Sequence, residues 1–172
     1  MALPALAETI DATVVSFPEG ETIVVRDSKS MKHEIKLSGI ELIELGQPHF
    51  RESRRFLSTL LFSKSVRVQW NRRDNRGWLI GKVYLSPPES RCLEQTSPKT
   101  KHEELTLLQG GLAWHKRNDA DQMPEEQARY AAAEEQARSK RVGLWSDAKP
   151  IPPWEWRERT IVRELRRSGP AR

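Results

Sequence analysis

Glu41 and Glu44 sit three residues apart in the stretch Lys36-Leu37-Ser38-Gly39-Ile40-Glu41-Leu42-Ile43-Glu44-Leu45-Gly46-Gln47-Pro48, where an alternating strand breaks into a turn. A second acidic turn, Pro18-Glu19-Gly20-Glu21-Thr22, lies upstream between two β-rich runs. If the flanking strands pair, both turns open at one end of a sheet and three or four carboxylates converge. Like charges so close repel unless a divalent cation or a basic substrate group neutralises them, so a hard cation with oxygen ligands is the chemistry to expect. The alternative on residue types alone is a set of solvated turn acids.

The elements that must position these acids read clearly. Ile10 to Phe17 and Thr22 to Arg26 are strands, Asp27-Ser28-Lys29-Ser30 is a turn, and Met31, His33, Ile35 and Leu37 alternate with Lys32, Glu34, Lys36 and Ser38 as a strand buried on one face. His33 reads as a packed or edge histidine. Behind Pro48, Phe50, Phe56, Leu57, Leu60 and Leu61 recur at helical spacing, opposite Arg51, Arg54 and Arg55. Val66, Val68 and Trp70 alternate next, Asn71 to Gly77 is a polar turn, and Trp78 to Leu85 returns as a strand. Five strands with a helix between the third and fourth predict an α+β fold: a five-stranded Greek-key β-barrel of the OB kind, with three helices in all.

Ser86 to Thr100 carries Pro87, Pro88 and Pro98 without periodicity and reads as an inserted loop. Glu103 to Gln109 is a short helix ended by Gly110-Gly111. Pro124 opens the strongest helix, with Glu125 and Glu126 at its positive end and Arg138, Lys140 and Arg141 ahead of Gly143. Pro150 to Trp156 reads as extended, followed by a weak basic helix from Arg159 to Arg167. The expected organisation is an N-terminal tail over 1–8, one domain over 9–157 with the loop at 86–100, and a basic tail over 158–172.

The net charge of +5 favours an anionic partner, and nucleic acid is the commonest. Much of the excess rides on residues 157–172, where six arginines face Glu158 and Glu164. Cys92 is the one cysteine, which excludes an internal disulfide and a cysteine-based zinc site. No apolar run approaches the roughly 18 residues of a membrane span. Small residues at Ala5 and Ala7 ahead of Glu8 look like the end of an export signal, which tips the expected location toward the periplasm or the exterior.

Several local strings together resemble the staphylococcal nuclease (thermonuclease) family over roughly residues 10 to 157. They are Gly20-Glu21-Thr22, Leu45-Gly46-Gln47-Pro48, Glu103-Glu104-Leu105, Gly111-Leu112-Ala113-Trp114, Gly143-Leu144-Trp145-Ser146-Asp147 and Pro152-Pro153-Trp154-Glu155-Trp156-Arg157. The resemblance implies an OB-type barrel and, in active members, calcium-dependent hydrolysis of DNA and RNA. It implies that Glu21 and Glu41 bind Ca2+ with help from the Leu42 carbonyl, and that Glu44 is the general base.

The cationic half departs from the family. Lys36 occupies the place of one arginine, a point charge in place of a planar fork, and Trp78 occupies the place of the other. Arg76, two residues away, is the expected substitute on the same strand face, and Ile43 replaces a proline that would stiffen the acidic turn. Two functions follow. One is a metal-dependent nuclease weakened by the lost arginines. The other is an inactive domain that binds single-stranded nucleic acid through Trp78 and the basic tail, or binds a protein partner. Either is expected to be a monomer acting on DNA or RNA, preferably single-stranded, away from membranes.

Overall fold

The computed structural model describes residues 7–18, 22–85, 103–119 and 121–167, with residues 165–167 described by backbone alone. Strands β1 (Glu8–Ser16), β2 (Thr22–Asp27), β3 (Lys32–Leu37), β5 (Ser65–Arg73) and β6 (Leu79–Leu85) close a barrel in the order β1-β2-β3-β6-β5. All neighbours are antiparallel except β3 and β6, which run parallel and pair Lys36 with Ile80. The barrel therefore follows the expected five-strand pattern, because the period-two apolar residues supply its lining: Val14, Ile23, Val25, Ile35, Val66, Val68, Leu79 and Val83 are all fully buried.

Met31 departs from the expected alternation. It precedes β3 at the hairpin tip and is 60% exposed, beyond the reach of the barrel core. His33 behaves as an edge histidine, half-buried and 2.9 Å from Asp27.

Two short strands form a second sheet outside the barrel. β4 (Ile40–Leu42) and β7 (Ala113–His115) pair antiparallel, matching Glu41 with Trp114. Three residues are too few to show a period, so their pairing has no local signature. Helix α1 (Phe50–Leu61) buries Ser53, Leu57 and Leu61, while α2 (Glu103–Gln109) and α3 (Pro124–Ser139) pack on each other beside the barrel. Among the described residues there are four helices rather than three. The fourth, α4 (Pro153–Arg167), starts earlier than the pattern suggests because Pro153 sits in its first turn, where a missing N–H costs nothing. Among the described residues, no helix is long and apolar enough to cross a membrane.

Glu104 fastens α2 to the barrel: its carboxylate accepts a hydrogen bond from the Val83 N–H at 2.9 Å and is fully buried. Burial pushes this carboxyl up to about 8, against the pull of the Val83 N–H. Between its ordinary value of 4.5 and about 8, the folded chain holds a proton that the unfolded chain has lost. Stability from this group therefore falls as pH rises through that window and levels off above it. Glu104→Gln is expected to flatten that slope and to gain about 1–3 kcal/mol near pH 8, read by thermal melts across pH. A variant that melts lower at pH 8 with the slope intact contradicts this.

Candidate active site

The acid pair is launched by a tight exit from β3. Gly39 has φ +76°, its N–H donates to Asp119 Oδ2 at 2.8 Å, and a Cβ there would meet Gln122 at 2.2 Å. Only glycine combines that backbone with that space. β4 follows at once, with Ile40 and Leu42 in the main core. Glu41 thus lies on a strand, not in a turn, and is held opposite Trp114.

Ile43, expected to loosen the acidic turn, is 3% exposed and belongs to a second cluster with Ala137, Leu144 and Trp145. Packing supplies the restraint that a proline ring would have given. In the turn itself, the Glu44 N–H donates to Gln47 Oε1 at 2.6 Å, and the Gln47 N–H donates to the Glu44 carbonyl at 3.0 Å. Gln47 Nε2 donates to the Ile151 carbonyl at 2.9 Å, and the Trp156 indole N–H donates to the Leu45 carbonyl at 3.3 Å. The segment leading into α4 is therefore stitched to the acidic turn.

Arg157 completes that stitching. Its Nη2 lies 2.8 Å from Glu41 Oε2 and its Nη1 lies 2.5 Å from Glu44 Oε1, so one planar guanidinium bonds both carboxylates. The carboxylate side chains are 10% and 16% exposed, and Arg157 is 35% exposed. The acids do converge, and a cation from the chain itself meets them. Sequence patterning offers no pointer to Arg157, which lies 113 and 116 residues from its two partners.

Arg157→Met would leave two shielded carboxylates facing each other. The pair is neither fully exposed nor fully buried, so the loss is expected at about 1–3 kcal/mol in urea denaturation. An unchanged midpoint would mean that the bridge contributes nothing.

The other expected residues are distributed differently. Glu21 lies outside the described residues. Lys36 is half-buried on β3, and Leu42 is buried in β4 opposite Ala113. Arg76 is not on a strand: it lies in the β5–β6 turn, where Asp74 Oδ1 accepts from the backbone N–H groups of Arg76 and Trp78 at 2.9 and 3.0 Å. That turn folds Arg76 back so that its guanidinium sits 4.8 Å from the centre of the Trp78 ring. Among the described residues Arg76 forms no ion pair with Glu41 or Glu44, and its cation is spent on the tryptophan face. Nor do the described residues hold any group of three or more His, Cys, Asp or Glu side chains suited to a metal ion.

A family profile described as staphylococcal nuclease homologue matches residues 28–147. An "Uncharacterized endonuclease" of Escherichia coli is 31% identical over 157 residues, covering 91% of this chain and 90% of that protein. "Protein ParB" of Escherichia coli is 30% identical over 158 residues, covering 91% and 84%. "Staphylococcal-like nuclease CAN1" of Arabidopsis thaliana is 31% identical over 157 residues, covering 90% of this chain but 41% of the plant protein.

Proposed function

The chain belongs to the staphylococcal nuclease family, and we propose that it hydrolyses phosphodiester bonds of nucleic acid with a divalent cation, calcium first, at the Glu41–Glu44 pair. The observation that carries this reading is the shared guanidinium: the carboxylates of Glu41 and Glu44 converge closely enough for one cationic group, that of Arg157, to bond both. Their charge and hardness suit an alkaline-earth ion, with Glu41, the Leu42 carbonyl and Glu21 as proposed ligands. Such an ion, when bound, polarises a phosphate oxygen and offsets the charge that builds on phosphorus.

The chain's own residues account for the rest. Glu44 takes a proton from the attacking water as the water oxygen bonds phosphorus and the phosphorus–oxygen bond to the leaving sugar breaks. Lys36 contributes positive charge to the phosphate, as a point charge and not a fork. Arg157 positions both acids in the resting state, and cation and substrate must compete with it. Trp78, with Arg76 folded over it, adds no hydrogen-bond donor cluster of the guanidinium kind, so the expected rate is low.

A second reading, binding of nucleic acid without cleavage, is favoured by one observation: the acid pair already has a cation in Arg157. Incubating the purified protein with single-stranded DNA and RNA separates the two. Cleavage that requires calcium and stops with EDTA supports the nuclease; salt-sensitive binding without cleavage in either condition supports the binder.

A further inference from the structure

Helix α1 turns a basic stripe outward that no step of the hydrolysis uses. With Ser53, Leu57 and Leu61 buried, Arg51, Arg55, Ser58 and Phe62 fall on another flank at spacings of four, three and four residues. We propose that this flank is a phosphate-binding track that holds the nucleic-acid strand beyond the scissile phosphate, on the side of the acid pair where α1 begins. The proposal rests on the nuclease reading and adds to it a second contact and a dependence on strand length.

The cations stand where a helix disfavours them. Arg51 lies in the first turn, at the positive end of the helix dipole, and Arg55 follows four residues on, where like charges repel. Both side chains are exposed, and neither forms an ion pair among the described residues. The one acid in α1, Glu52, is turned to His49 at 3.1 Å, and His49 also meets Asp147 at 3.3 Å. Two local penalties without an internal partner suit an external polyanion, whose phosphates relieve both at once.

The surface beneath the stripe is shaped and fixed. Two clefts of about 520 and 540 Å³ adjoin along α1 and share Phe50 in their lining. The first reaches Leu45, Gly46 and Gln47 of the acidic turn that carries Glu44, and the second extends past Arg55 to Phe17 and Phe62. Phe50 packs on the cluster that holds Ile43, the neighbour of Glu44, so the track is fixed relative to the acid pair. Arg54 donates to the Pro18 carbonyl, and its guanidinium lies 5.6 Å from the centre of the Phe50 ring, bracing the second cleft. A strand leaving the acid pair across Gly46 meets Arg51 first and then Arg55.

Contacts of this kind go to phosphates. They read no base, weaken with salt, and place the strand without altering the chemistry at Glu44.

Fluorescence anisotropy in EDTA, with an oligothymidine of about sixteen nucleotides as the probe, tests this without cleavage. Arg51→Met combined with Arg55→Met is expected to weaken binding about ten- to thirty-fold at about 0.1 M salt and to lower the salt slope by about 1.4, the share of two phosphate contacts. Two exposed lysines of the β2–β3 hairpin serve as the control: Lys29→Met combined with Lys32→Met removes the same charge and should leave both values nearly unchanged. Arg51 and Arg55 have no ion pair to lose, so the melting temperature should hold or rise, which separates weaker binding from unfolding. In calcium, the arginine variant should keep kcat on a short oligothymidine and raise KM for the long one alone. Equal loss in both double variants, or no loss in the arginine variant, overturns the track, as does absence of binding by the unaltered chain. If calcium-dependent cleavage persists in those cases, the nuclease reading stands without the track; a lowered slope with no cleavage by the unaltered chain keeps the track and removes the nuclease. A polyglutamate that displaces the oligothymidine at equal charge concentration overturns the nucleic-acid occupant in favour of an acidic polypeptide.

Discussion

Glu44→Gln is expected to lower kcat for single-stranded DNA by about 10³, with KM nearly unchanged, because a positioned general base contributes about 10² to 10⁴ in rate. The substitution is conservative in shape. Glutamine keeps an Oε1 that accepts from Arg157 Nη1, where Glu44 now bonds at 2.5 Å, and Arg157 Nη2 stays on Glu41 at 2.8 Å. The turn also survives, since its bonds to Gln47 use the Glu44 backbone and not its carboxylate. Thermal stability should thus change by less than about 1 kcal/mol, which separates lost chemistry from lost structure. A variant that cuts at the original rate would remove Glu44 from the mechanism.

Trp78→Arg is expected to raise kcat by about 10². A tryptophan offers one N–H donor and no charge, whereas a guanidinium donates to two phosphate oxygens at once. Loss of one such transition-state donor is typically worth about 10² to 10³, so its return should recover a comparable factor. The gain is set at the lower end for a stated reason: Arg76, now 4.8 Å from the Trp78 ring, would face a like charge once the ring is gone. Combining Trp78→Arg with Arg76→Ser removes that repulsion and should match or exceed the single variant. No rise in kcat in either variant would show that the missing guanidinium is not what limits the rate.

Much of the barrel was legible because its information is local. Ile35, Val66, Val68 and Val83 alternate with polar or half-exposed residues, and side chains on a strand point to opposite faces in turn, so burial writes a period of two into the chain. The start of α3 was legible for the same reason: Pro124, Glu125 and Glu126 satisfy the helix end by themselves. Met31 broke the pattern because alternation does not say where a strand meets its hairpin tip, and Arg76, which lies in the polar turn where the pattern put it, does not share a strand face with Trp78.

The acid pair divides along the same line. Residue order alone announced two carboxylates three apart, a tryptophan at position 78 and a cationic chain end, since each is a matter of residue type and near spacing. What meets those carboxylates was settled by folding: β4 had to find β7, Ile43 had to join the cluster around Trp145, and α4 had to dock on the turn before Arg157 arrived more than a hundred residues from its partners. Contacts of that span leave no periodic trace, because the forces that select them are packing and charge between surfaces that exist only once the barrel has closed.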